Sequence, residues 1–350
     1  MLISLAHCGR STIPEYSWMP KSTEIFLGIS LKFNLPWKEG MPVSINNRLV
    51  SLVLIIAASI LFVGCSGDQD PTMVDFSKKM VVDQSPDELL DGPVIRVAVA
   101  AMISAKESVV YYHQLLDFIA DRLGHKIQLI QRKTYSEINE LLKNGKIDLA
   151  FICSGPYATG RQTCGFEALA VPQVRGKHSY HSYLIVNQNS SFKDLMDLRG
   201  KTFAFTDPES NTGKLVPTFW LVQQQERPKE FFGKIIYTHS HDNSIMAVAT
   251  SLVDAAAVHE QIWEYFNEKN STFTSSTRII KKSQPFGNPP VVASKQLSSQ
   301  LKADIQRLLT TMHMDSAGKK ILDELRIDRF LYPEDKWYES IVAMKEECNL

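Results

Sequence analysis

The sequence predicts an α/β protein of two lobes built alike, each a mostly parallel sheet flanked by helices, joined by a hinge of two strands. Three observations predict this. Short apolar, β-rich runs alternate with helical periods from residue 94 to 152. The same alternation returns from 202 to 258, at an offset of 106 residues. Two further stretches, at 184–188 and 278–294, cross between the blocks.

In the first block, VIRVAVAA (94–101) reads as a buried parallel strand. Ser104-Ala-Lys-Glu107 carries the S-x-x-E capping signature, and Tyr112, Leu115, Leu116, Ile119 and Leu123 then recur at helical spacing up to Gly124. IQLIQ (127–131) is a second strand. A helix with Ile138, Leu141 and Leu142 closes at Asn144-Gly145, and IDLAFI (147–152) is a third strand. In the second block Thr202–Thr206 is strand-like, and the loop DPESNTG (207–213) leads into a helix reaching Gln225. Lys234–Tyr237 is a strand, HDNSIMAVATS a helix and VDAAAV (253–258) a strand. Helices with Leu301, Ile305, Leu308 and Leu309, and with Ile321, Leu322 and Leu325, return to cover the first lobe. The expected lobes are 93–185 with 288–350, and 186–287.

The offset aligns Asp148 with Asp254, Tyr135 with His241, and Cys153-Ser154 with His259-Glu260. Ligands of open α/β sheets bind beyond the carboxyl ends of the strands. Two facing sheets therefore present these positions to one cleft, and two parallel crossings make a hinge that closes around a ligand.

Upstream lies one apolar run of 15 residues, Leu49 to Val63, after Arg48 and before Gly64-Cys65-Ser66. It is shorter than the roughly 20 residues a bilayer span needs and has the parts of a secretory signal. The cysteine at its end marks a bacterial lipoprotein signal (41–65) lipidated at Cys65, with 66–92 as a tether; a short buried helix is the alternative. Residues 1–40 read as an over-extended start upstream of Met41, or as a disordered extension.

Composition excludes several classes. The 350 residues carry 38 Lys+Arg against 38 Asp+Glu, so there is no basic field for nucleic acid. Five cysteines do not make a disulfide scaffold. In an oxidising envelope Cys153 and Cys164 are able to pair, which leaves Cys348 odd, but the sequence does not decide whether they do. No phosphate loop, dinucleotide fingerprint or nucleophile elbow is present, so no catalytic set and no cofactor is expected.

Asp207–Gly213 is the most informative segment. Hydroxyl and amide side chains at a helix start, with free backbone N–H groups, favour an anion. An ordinary cap and turn fits the same letters. His241 reads as a donor to an anionic oxygen; with His239 on the same strand face and carboxylates near, it also fits half a metal site, for which no third ligand is visible, so no metal is expected. Tyr157 and Ser154 follow a strand, and Tyr157 either bonds a ligand oxygen or packs the hinge. Cys153 has three readings: a buried apolar thiol, a disulfide partner, or a soft ligand for a thiophilic species such as arsenite. Tyr180 and Tyr183 read as structural.

The segments NGKIDLAFICSGPY (144–157), FAFTDPESNTGKLVP (203–217), SHDNSIMAVATSLVDAAAV (240–258) and SQPFGNPPVVAS (283–294) carry a family resemblance. They resemble the phosphate/phosphite/phosphonate-binding proteins of ABC importers, a branch of the type II periplasmic binding fold. The resemblance implies that Ser210, Asn211, Thr212 and Gly213 grip an oxyanion, with His241 and Tyr157 on its other side. Tyr135, Ser154 and His259 join them through the lobe alignment. It implies a monomeric envelope lipoprotein in the periplasm, not an enzyme, that captures a small oxyanion for an inner-membrane permease. The cysteine in CSGPY is similar to that of relatives that look like sensors of arsenic species, and implies a membrane histidine kinase or cyclase as the alternative partner.

Overall fold

The computed structural model describes residues 93–100, 102 and 105–349. The expected signal, Cys65 and the tether lie outside the described residues, as does Ser104 of the expected cap. In the first lobe β1 (Val94–Val99), α1 (Ala105–Leu123), β2 (Lys126–Ile130), α2 (Tyr135–Lys143) and β3 (Leu149–Phe151) follow in order. Thr134 caps α2 through the Glu137 N–H while the Glu137 carboxylate accepts the Thr134 N–H at 2.9 Å, a closed capping box. The chain continues through α3 (Ser154–Thr163) and β4 (Glu167–Gln173).

The second lobe repeats the plan. It holds β6 (Ser182–Asn187), β7 (Thr202–Phe205), a π-wound turn (Asn211–Leu215), α4 (Val216–Val222), α5 (Pro228–Phe231), β8 (Lys234–Tyr237), α6 (His241–Ala249), β9 (Ala255–His259), α7 (Glu260–Lys269) and β10 (Thr277–Lys282). Between the lobes run β5 (Ser179–Tyr180) and β11 (Phe286–Gly287), paired antiparallel as a small hinge ribbon. The chain then returns through β12 (Val291–Ala293), α8 (Ser299–Thr311), α9 (Ser316–Glu324), β13 (Arg329–Leu331) and α10 (Glu339–Glu347).

The first sheet runs β13-β4-β12-β3-β1-β2 and the second β10-β6-β9-β7-β8. In each, the three strands of the β-α-β-α-β core pair in parallel. The strands adjoining the hinge enter from the opposite end and pair antiparallel, so both sheets are mixed. The expected lobe boundary at 185/186 falls inside β6. That strand pairs with β9 and β10 from Ser182 to Asn187, so the crossing is complete before Ser182.

The repeat is exact in its hydrogen bonds. Asp148 accepts the Arg96 N–H at 2.8 Å and Asp254 accepts the Thr202 N–H at 2.8 Å, each carboxylate tying the strand that follows it to the first strand of its lobe's parallel core. Thr134 and Ser240 cap α2 and α6, and Cys153 and His259 occupy the N-caps of α3 and α7. Every one of these pairs keeps the offset of 106 residues.

One apolar cluster fills the outer face of the first sheet, with Leu115, Ile119, Ile305, Leu309 and Leu322 buried against Val97 and Phe151. Each such aliphatic side chain withdrawn from water contributes roughly 1.5–3 kcal/mol. A second cluster packs α6 on the second sheet through Ile245, Val248 and Ala256. The largest runs continuously from Ile138 and Ala150 through Tyr180 to Phe203 and Trp220, bonding the two lobes' facing sides.

Candidate functional site

The loop after β7 and its π-turn sit where the two lobes meet. Ser210 begins the turn: its Oγ accepts the Gly213 N–H at 3.0 Å, and its carbonyl accepts the Leu215 N–H at 3.0 Å. A Cβ on Gly213 would lie 2.2 Å from Thr206 Oγ1, so only glycine lets the turn close under that hydroxyl. The winding turns Asn211 and Thr212 inward, and both are 0% exposed. Asn211 Nδ2 donates to Tyr180 Oη at 3.1 Å, while Asn211 Oδ1 and Thr212 Oγ1 have no partner.

His241 opens α6, and its backbone N–H donates to the Met102 carbonyl across the lobes at 2.9 Å. Its Nδ1 receives the backbone N–H of His259 at 3.2 Å and lies 3.2 Å from Thr206 Oγ1. A backbone N–H can only donate, so Nδ1 is the unprotonated nitrogen and the neutral ring carries its proton on Nε2. That Nε2 is buried without a partner. Burial lowers the His241 pKa to about 3, so the ring is neutral at pH 7. Burial, with His241 beside it, also holds the His259 pKa well below its ordinary value. The His259 ring stacks on Tyr180 at 3.9 Å, and its Nδ1 is buried without a partner.

From the first lobe, Tyr135 opens α2. Its N–H donates to the Asp207 carboxylate at 3.2 Å, and its buried hydroxyl has no partner. Burial, then the nearby Cys153 and Asp207, raise its pKa well above the ordinary value, so it stays a neutral O–H. Ser154 Oγ lies 2.6 Å from Tyr180 Oη. Cys153, 0% exposed, sits at the N-cap of α3 without a side-chain cap hydrogen bond, and the nearby backbone N–H groups of Asn211, Gly155 and Ser154 act to lower its pKa. Burial pushes its pKa up despite these donors, so it is a thiol.

The structure thus brings together Ser210, Asn211, Thr212, Gly213, His241, Tyr135, Ser154 and His259. It does not bring in Tyr157. That side chain follows the helical turn of α3 away from the cluster: its ring packs on Tyr338 at 4.6 Å and its hydroxyl donates to Asp335 at 3.4 Å. Tyr180, read from sequence as structural, holds the inward tyrosine position instead. Its strand is two residues long, so no pattern exposed its orientation.

Two further expectations change. Cys153 and Cys164 are both free and stand at opposite caps of a ten-residue helix. At about 1.5 Å rise per residue they are some 16 Å apart, against the 7 Å limit for a disulfide. His239 and His241 do not share a strand face, because β8 ends at Tyr237 and His239 takes a left-handed φ of 62°. Among the described residues no group of three or more His, Cys, Asp or Glu is placed to hold a metal.

The side chains that line this cage are uncharged N–H and O–H donors with a buried amide oxygen as acceptor, and the Asp207 carboxylate is turned to the Tyr135 N–H; such a set suits a small oxyanion that retains a hydroxyl. Comparison with known proteins gives the class. The model of the phosphonate ABC transporter periplasmic substrate-binding proteins matches residues 97–338, and the chain belongs to that family. Among individual proteins, it is 27% identical over 182 residues to a probable phosphite-binding protein of an ABC transporter from Prochlorococcus marinus, covering 49% of this chain and 61% of that one. It is 24% identical over 227 residues to a phosphate-import protein from Mycolicibacterium smegmatis, covering 61% of this chain and 69% of that one. The fold matches the binding component of a phosphonate ABC transporter from Pseudomonas aeruginosa at a TM-score of 0.70 and 22% identity, covering 74% of this chain and 87% of that one. It also matches a Prochlorococcus marinus protein solved with methylphosphonate at 0.66 and 21%, covering 73% and 98%. These likenesses identify both lobes as the type II periplasmic binding fold.

Proposed function

We propose that the chain captures a small tetrahedral oxyanion of phosphorus between its lobes and presents it to an inner-membrane ABC permease. It performs no bond chemistry. The observation that carries this reading is the set of buried polar atoms without partners: Tyr135 Oη, Asn211 Oδ1, Thr212 Oγ1, His241 Nε2 and His259 Nδ1. Five of the nine such atoms among the described residues belong to this set, and each unpaired buried group costs about 1–3 kcal/mol, which a ligand completing the set would recover. Thr212, Tyr135 and His241 donate to anionic oxygens, and Asn211 Oδ1 accepts from a protonated one. The relatives named for phosphite and phosphate support a phosphorus anion. A lipid on Cys65 holds the monomer at the membrane in the periplasm. Among the described residues no helix is long and apolar enough to cross a membrane.

A thermal-shift screen of phosphate, phosphite, methylphosphonate and arsenite tests the reading, since a ligand bound only by the native state must raise Tm. Ser210→Ala with Thr212→Ala weakens the best ligand at least about tenfold, or about 1.4 kcal/mol. Unchanged affinity by calorimetry would remove the loop from the site. Thr212→Ala alone, which spares the Ser210 cap, separates binding from folding.

Cys153 favours a second reading, in which the same lobes sense a trivalent arsenic oxyanion for a membrane histidine kinase or cyclase. The thiol exchanges with one As–OH, forming S–As and releasing water, while the remaining hydroxyls rest on the cage donors. Arsenite binding that survives Cys153→Ser eliminates this reading.

A further inference from the structure

A cleft of about 170 Å³ adjoins the polar cage, between the carboxyl ends of β1 and β3 and the second lobe's α7. Met102, Ile152, Pro290 and Ile327 line it from the first lobe, Ile262 and Tyr265 from the second. Two of its residues also belong to the cage. Met102 lines the cleft and holds the His241 N–H with its carbonyl. His259 lines it while one face of its ring stacks on Tyr180, and its Nδ1 is the buried atom without a partner. The cleft is therefore the apolar continuation of the anion cage. A bare phosphate ion has no use for such walls. An apolar cavity of about 150 Å³ holds a benzene molecule, so this one has room for a substituent of that size. Its outer rim carries Arg175 bonded to Glu264 and Glu268. With Arg326 also lining the cleft the charges balance, two against two, and a second anionic group on a ligand is opposed instead by the apolar walls, which would bury it without a partner.

We propose that the ligand is a phosphorus oxyanion bearing an apolar substituent about as large as a phenyl ring, its head in the cage and its substituent in this cleft. The proposal rests on the reading of the cage as a phosphorus-oxyanion site. Calorimetry on the full chain compares phosphate, methylphosphonate, phenylphosphonate, phenyl phosphate and 2-carboxyethylphosphonate. We expect phenylphosphonate or phenyl phosphate to bind at least tenfold tighter than methylphosphonate, and 2-carboxyethylphosphonate to bind more weakly than it. The two phenyl ligands distinguish a direct carbon–phosphorus link from an ester. Ile262→Trp fills the cleft from α7 and reduces the phenyl-to-methyl affinity ratio to below threefold. Val174→Phe fills it from the opposite wall with the same expected result, should the first variant misfold. A phenyl ligand binding no tighter than methylphosphonate, or a ratio that survives both substitutions, overturns the subsite while leaving the cage intact. Failure of every phosphorus anion to bind overturns the oxyanion reading and the subsite with it.

Discussion

At the scale of single residues, His241 is defined by what its neighbours permit. The His259 N–H fixes its tautomer, and the proton on Nε2 becomes the donor the cage offers. His241→Ala removes that donor, and we expect at least a tenfold loss of oxyanion affinity by calorimetry. The same burial makes the fold sensitive to acid. An unfolded histidine binds its proton near pH 6.5, and the folded His241 refuses it until about pH 3. Below pH 6.5 the unfolded chain therefore holds more protons, and stability falls as pH falls, reaching a cost of about 2 kcal/mol per such histidine by pH 5. His259, shifted the same way, adds to the slope. Thermal melts should show a Tm several degrees lower at pH 5 than at pH 7, and His241→Gln should flatten the difference; parallel pH profiles for the two proteins would contradict this. Residue types made much of this cage legible in sequence. Thr212, Tyr135 and His241 are donors flanking helix starts, and the lobe offset aligned two of them. Tyr157 and Tyr180 were not distinguishable, because the choice depends on which way α3 turns its fourth residue and on a hinge ribbon too short to show a period.

Elements set how closely the lobes approach. α3 begins against the backbone of the loop after β7: a Cβ on Gly155 would lie 2.6 Å from the Glu209 carbonyl oxygen and 3.0 Å from Asn211 N. Those are backbone atoms of the other lobe and cannot step aside as a flexible side chain can. We expect Gly155→Val to prop the lobes apart. Affinity for the best oxyanion falls at least tenfold by calorimetry while Tm of the free protein changes little; a comparable loss of Tm would instead place the glycine's role in folding. The β-α-β-α-β order of both lobes was legible, since runs such as Ala98–Val99 and Ala255–Val258 are continuously apolar and buried on both faces. α3 and α7 were not. SGPYATGRQT contains two glycines and a proline with no apolar period, and α7 buries no residue fully, so neither leaves a stripe to read. The π-turn was equally hidden, because it arises from Gly213 tucking under Thr206, a contact between residues seven apart with no signature of its own.

The whole molecule is held closed by polar contacts that span its lobes. Tyr135 N–H meets the Asp207 carboxylate, His241 N–H meets the Met102 carbonyl, and Arg175, in the turn leaving β4, bonds Glu264 and Glu268 on α7. These contacts form only when the lobes meet, and a ligand that completes the cage binds the closed state alone, so it draws the equilibrium toward closure by its differential affinity. Arg175 is half exposed, and an exposed ion pair contributes about 0.2–1 kcal/mol. With two carboxylate partners, its loss belongs near the upper end of that range. Arg175→Ala should therefore weaken the best oxyanion about two- to fivefold without touching the cage. Raising the salt concentration should erase most of the difference from the unmutated protein, since screening already weakens the rim pair there. Calorimetry at low and high salt reads both effects. A loss of fifty-fold, or one indifferent to salt, would mean that Arg175 acts on the ligand itself and not on the balance between open and closed lobes.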